Sequence, residues 1–96
     1  MAHEGYHEPV DTLSAATMDF HRAVVSLIEE LEAVDWYNQR VEACTDPDLR
    51  AILAHNRDEE IEHASMALEW IRRRNPVFDR ELRKTLFKDG PITGQH

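Results

Sequence analysis

Apolar residues recur along most of this chain at the spacing of a helix face. Leu13, Phe20, Val24, Leu27, Leu31 and Val34 follow one another by three, four or seven positions, which is one stripe of a helix with 3.6 residues per turn. The pattern predicts a first helix from near Asp11 or Thr12 to about Cys44. At "TDPD", Thr45 or Asp46 offers an oxygen to free backbone N–H groups and Pro47 fits a first helical position, so a second helix begins there and should reach Arg74. Asn75 and Pro76 repeat the start signal for a short third helix, with Phe78, Leu82 and Leu86 on one face. The closing "KDGPITGQH" reads as a tail. Glycine occurs only at Gly5, Gly90 and Gly94, proline only at Pro9, Pro47, Pro76 and Pro91, and no alternating strand pattern competes. The expected organisation is a flexible N-terminal tail over residues 1–10, one helical domain over 11–88 and a C-terminal tail over 89–96.

At 1.5 Å rise per residue the first two helices are each roughly 40–50 Å long. Only a few residues join them, so they should fold back as an antiparallel hairpin. The expected fold class is therefore all-α: a two-helix hairpin plus a short C-terminal helix. A hairpin has one mutual seam, yet Val25 and Ile28 lie off the line of Phe20, Leu27 and Val34. That surplus face asks for cover; the third helix can supply some of it, and pairing of two copies into a four-helix bundle is the simpler supply for the rest.

Composition sharpens this picture. Ninety-six residues with 42% hydrophobic content make one small domain whose stability benefits from a disulfide, a metal or oligomerisation. Cys44 is the only cysteine, which leaves the last two. The unpaired thiol, the lack of an apolar run of membrane-spanning length and an N-terminus without a signal region lead us to expect a soluble cytoplasmic protein. A formal charge of −8 disfavours nucleic acid and favours cations.

The second helix carries Asp58, Glu59, Glu60, Glu62 and His63 within six positions. Followed in steps of three and four, its inner stripe is Leu49, Leu53, Asn56, Glu60, His63, Ala67 and Trp70, apolar at the ends and ionisable in the middle. Glu60 and His63 stand at i and i+3, so a carboxylate oxygen and an imidazole nitrogen reach the same place. On the first helix the line Ala16, Phe20, Ala23, Leu27, Glu30, Val34, Tyr37 and Val41 contains one acid, Glu30. For a turn near residues 45 and 46, positions whose numbers sum to about 91 lie level, which sets Glu30 opposite Glu60 and His63. Dinuclear carboxylate bundles use a Glu from each of two helices and a Glu-x-x-His from each of two others. One copy of this chain supplies half of that set, so the arithmetic asks for a dimer with the site across its interface. Carboxylate and imidazole without thiolate suit iron or manganese, and zinc also binds such groups.

The blocks "IEELEAVDWYNQR" (28–40) and "HNRDEEIEHASMALEW" (55–70), in this order in a short three-helix chain, resemble the encapsulated ferritins, over roughly Pro9 to Thr93. The resemblance implies a ferritin-like bundle formed by dimerisation, with Glu30, Glu60 and His63 as iron ligands, Glu60 bridging two irons at each dimer interface, and Tyr37 close by in the catalytic set. It implies further that Glu29, Glu32 and Trp36 flank the route by which cations approach. Also implied are a ring of five dimers, a ferroxidase reaction in which dioxygen oxidises two Fe²⁺ to Fe³⁺, and delivery of ferric iron for storage inside an encapsulin nanocompartment. The family normally carries a C-terminal extension with a shell-targeting peptide; none lies within these 96 residues.

Plainer readings stand beside these. Glu59 and Glu62 suit a solvated face, with Arg57 or a neighbour's Lys88 as partners for Glu62. Glu29 and Glu32 suit a wet face, Tyr37 a core tyrosine, and Trp36 and Trp70 packing anchors. His21 and His55 read as surface or capping residues, and His3, His7 and His96 as tail residues. The rival functions are a non-enzymatic acidic scaffold or cargo adaptor, and a rubrerythrin-like di-metal peroxidase.

Overall fold

The computed structural model describes residues 5–94; His3 and His96 lie outside the described residues. A short 3₁₀ turn, Val10–Thr12, precedes α1 (Ala15–Ala43), α2 (Pro47–Arg74) and α3 (Pro76–Thr85). The described residues are helical with no strand, as the sequence pattern requires.

The first helix starts at Ala15 instead of Asp11 or Thr12. Thr12 donates from Oγ1 to the Pro9 carbonyl at 2.6 Å, which closes the 3₁₀ turn, and Leu13 is extended. Ser14 then caps α1 by accepting the Thr17 N–H at 3.1 Å, so the helix begins where a side-chain oxygen first meets its free donors. Asp46 caps α2 in the same way through the Leu49 N–H at 2.8 Å, with Pro47 in the first turn. Asn75 is both the last cap of α2 and the first of α3, accepting the Phe78 N–H at 2.9 Å.

Helices of 29 and 28 residues, each about 42–44 Å long, lie antiparallel across a three-residue link. Arg50 of α2 donates to the Val41 carbonyl at 3.1 Å, satisfying a C-terminal backbone oxygen of α1. Further along, Arg57 donates to Asn38 Oδ1 at 3.1 Å. These two bonds tie the helices at fixed heights and hold the register that the site needs.

Enclosure is slight. Only Ala64 and Ile71 are buried among the described residues, and the molecule measures 50 × 40 × 18 Å, one helical layer deep. It exposes 7560 Å² for 11.2 kDa, whereas a compact monomer of that mass exposes about 5,700 Å². Leu31, Trp36, Ile52, Ile61 and Met66 are among the large apolar side chains left in contact with solvent.

In the segment before α1 the Tyr6 ring is 4.5 Å from that of His21 and tilted to it by 39°, and His21, expected as a surface or capping group, is half-buried. At the other end α3 turns away from α2, with Phe78 reaching Phe20 at 6.3 Å. Arg72 locks this elbow. It donates to Glu69 at 2.7 and 2.8 Å and to Asp79 of α3, while Arg73 and Arg83 add bonds to Glu69 and Asp79.

Hydrogen bonds from Arg72 and Arg73 hold the Glu69 carboxyl at about 2 against an ordinary 4.5, and Arg72 chiefly holds Asp79 below its ordinary value. A depressed acid contributes stability above its unfolded value and loses it as pH falls through the folded one. We therefore expect the elbow to loosen between about pH 4.5 and 2, seen as faster amide exchange in α3 than in α1. An Arg72→Gln chain should exchange fast at all these pH values.

Candidate metal centre

Glu30 projects from the middle of α1, and Glu60 and His63 from one turn of α2. The hairpin sets them at one height, as the two stripes require. His63 Nδ1 lies 3.6 Å from Glu30 Oε2 and 3.5 Å from Glu60 Oε1. One ligand atom from each residue falls within 4.8 Å of the others, and among the described residues no other group of three such side chains does this.

The two carboxylates are about three-quarters covered, at 26% and 24% exposure, whereas the imidazole is 45% exposed. The group is thus walled on the hairpin side and open outward. The Glu30 carboxyl is pushed above its ordinary value, first by its hydrogen bond with Glu60, then by burial and by the Glu60 charge; His63 acts the other way. Two acids forced together resist shedding both protons. A divalent cation among them removes that conflict, and the oxygen and nitrogen donors suit a transition metal of intermediate softness. Cys44, fourteen positions along α1, is about 21 Å away by helical rise and adds no thiolate.

The other expected site residues do not join this group. Tyr37 is half-buried two turns from Glu30, about 10 Å along the axis, and its ring carries the Arg40 guanidinium at 5.2 Å. Glu29, Glu32 and Trp36 share one side of α1, turned roughly 100–160° from Glu30; Glu29 and Trp36 are exposed and Glu32 half-buried. On this chain they form a separate acidic patch beside an aromatic ring. Glu59 meets His55 at 3.6 Å. Arg57, offered above as a partner for Glu62, instead bonds Asp58 at 3.1 Å and Asn38, and Glu62 has no ion pair among the described residues.

The clamp between Arg57 and Asn38 escaped sequence reasoning. Its signal was the pair of residue numbers, which sum close to those of level positions, one turn from Glu60. Nothing in residue type alone marks an Asn and an Arg as partners.

Neutralising one acid tests the electrostatics. With metal absent and pH near neutral, Glu60→Gln should raise the thermal midpoint, because it ends repulsion between half-buried charges. The same variant should lose the stabilisation that added divalent cation gives the unaltered chain. Paired melting curves with and without cation measure both; an unchanged cation response would dissociate Glu60 from binding.

Comparison with known proteins identifies the family. The family model EncFtn-like matches residues 5–89. A Rhodospirillum rubrum "Encapsulated ferritin-like protein" is 62% identical over 87 residues, covering 91% of this chain and 62% of that protein. A Thermotoga maritima "Ferritin-like protein" is 58% identical over 88 residues, covering 92% of this chain and 77% of that one. The chain thus spans less than two thirds of the Rhodospirillum relative's length. A crystal structure of a Nitrosomonas europaea protein, 64% identical, superposes with a TM-score of 0.90 over 95% of this chain and all of that one. With the helical hairpin and the family match in agreement, the chain belongs to the EncFtn-like family, a group of ferritin-like helical proteins.

Proposed function

We propose that this chain is a ferroxidase whose substrate is ferrous iron. The observation that carries the reading is the convergence of Glu30, Glu60 and His63, with atoms within 4.8 Å, on the open side of a hairpin too thin to enclose them. Two copies about a two-fold axis supply two of each residue, the donor set of a dinuclear carboxylate bundle. Glu60 would bridge the two irons of such a dimer, and each copy's Glu30 and His63 would complete their ligand set. Burial between the pairs excludes bulk water and strengthens the attraction of the carboxylates for the ferric charge.

In the reaction each of two Fe²⁺ ions gives one electron to dioxygen, which takes up two protons and leaves as hydrogen peroxide beside two Fe³⁺. Adjacent ions deliver both electrons to one oxygen molecule. Carboxylates stabilise the higher charge of the product and exchange readily enough for it to leave. Tyr37 lines the approach to this centre from the turn end of the hairpin, and Glu29, Glu32 and Trp36 concentrate cations outside it, an effect that salt weakens. We infer further that five such dimers form a ring lodged in an encapsulin shell that stores the iron; of this, the word encapsulated in the name of the Rhodospirillum relative supports the shell alone.

Anaerobic protein mixed with ferrous salt and then exposed to air should develop ferric absorbance well ahead of buffer. Glu60→Ala and His63→Ala should slow that initial rate by more than about 10-fold, since removal of a ligand costs at least as much as loss of a supporting contact. A scaffold gives the rate of buffer. Faster oxidation by peroxide than by dioxygen identifies the rubrerythrin-like reaction instead.

A further inference from the structure

On the outer side of α2 an open groove of about 470 Å³ is lined by residues that include Glu62, Ser65, Met66 and Trp70. Met66 is 57% exposed. It stands three positions beyond His63, about 4.5 Å along the axis and roughly 60° around it. The buried pair Ala64 and Ile71 face the seam with α1, and Met66 is turned roughly 140–160° from them. Its thioether therefore points outward, at the rim of the open side on which Glu30, Glu60 and His63 converge.

A thioether at that place is open to oxidation. Its sulfur gives two electrons to a peroxide without first losing a proton, so access sets its reactivity more than pH does. The other methionine among the described residues, Met18, is half-buried on α1, twelve positions from Glu30 and about 18 Å away by helical rise. The Cys44 thiol is half-buried as well, at the turn of the hairpin, where it donates to the Asp46 carbonyl at 3.6 Å. Among the sulfur groups of the described residues, exposure and nearness to the metal centre coincide at Met66 alone.

We propose that Met66 is an oxidative modification site, converted to methionine sulfoxide by hydrogen peroxide released at the metal centre one helical turn away. This rests on the ferroxidase reading, in which two-electron reduction of dioxygen supplies the peroxide. In the step, the sulfur lone pair attacks one peroxide oxygen, and the S–O bond forms as the O–O bond breaks. The hydroxide that leaves takes up, through water, the proton of the transferred hydroxyl. Thioether and peroxide thus become sulfoxide and water; sulfur loses two electrons and the peroxide gains them. The product sets a polar S=O group where a flexible apolar side chain stood, and reductases specific for methionine sulfoxide reverse it.

Peptide mass mapping of the full-length chain tests this in two arms. In the first, dilute hydrogen peroxide is added with a chelator and no iron, and Met66 should gain one oxygen at least about 5-fold faster than Met18. In the second, anaerobic protein with catalase in the solution receives ferrous salt and then air, and ferric absorbance is followed in the same sample. Met66 should gain an oxygen although catalase clears peroxide from the bulk. Methionine sulfoxide reductase should then remove the added mass, which a hydroxylated Trp70 would retain. Glu60→Ala should lower oxidation in the second arm by about 10-fold or more and leave the first unchanged. Equal rates at Met66 and Met18 in the first arm overturn the proposal, and so does an unmodified Met66 in the second while ferric absorbance develops ahead of buffer. Absence of ferric absorbance removes the source of peroxide and overturns the ferroxidase reading together with the proposal, an outcome distinct from both of those.

Discussion

Two helices laid side by side share one seam, and a side chain outside that seam has nothing to bury against. The hairpin of α1 and α2 meets this constraint with Ala64 and Ile71 alone fully covered. Conformational entropy weighs heavily against so small a chain, and the apolar stripes beyond the seam stay in contact with solvent. The same constraint places chemistry at the margin. Glu30, Glu60 and His63 sit at the lip of the seam, where the hairpin covers the two acids and leaves the imidazole in partial contact with solvent. A site in the middle of an enclosed core would have no such open side.

Electrostatics and packing therefore act on one another. Holding Glu30 beside Glu60 raises the Glu30 carboxyl, a conflict that two helices tied by Arg50 and Arg57 cannot relieve by sliding apart. The tie keeps the three donors together, so a cation entering among them would require little rearrangement and the ordering cost is met during folding. A hairpin with a looser register would let the acids separate and would hold an ion less firmly.

Much of this was legible in the residue string because it depends on periodicity and on local oxygen donors. Asp46 and Asn75 announced their helices through cap chemistry that acts within three residues. The match of Glu30 to Glu60 and His63 followed from two straight helices and a short turn. What stayed hidden depends on angles between elements. The start of α1 shifted to Ala15 because Ser14 and Thr12 offer competing oxygens, and sequence does not rank them. The Arg72 network required the direction of α3, and the contact of Tyr6 with His21 required the path of the segment before α1. The left-handed Phe87, at φ 59°, carries no signature at all, since no Gly or Asn marks the position.

The single-residue elbow at Asn75 has a wider consequence. Because this residue ends one helix and begins the next, with φ −126° and ψ 109°, no spare link absorbs a change in length. One added helical residue would swing α3 by about 100° about its axis and re-aim the residues that follow it. The bend thus acts as a ruler: altering this one joint re-aims α3 while the turn that carries Glu60 and His63, roughly three to four helical turns away, stays untouched.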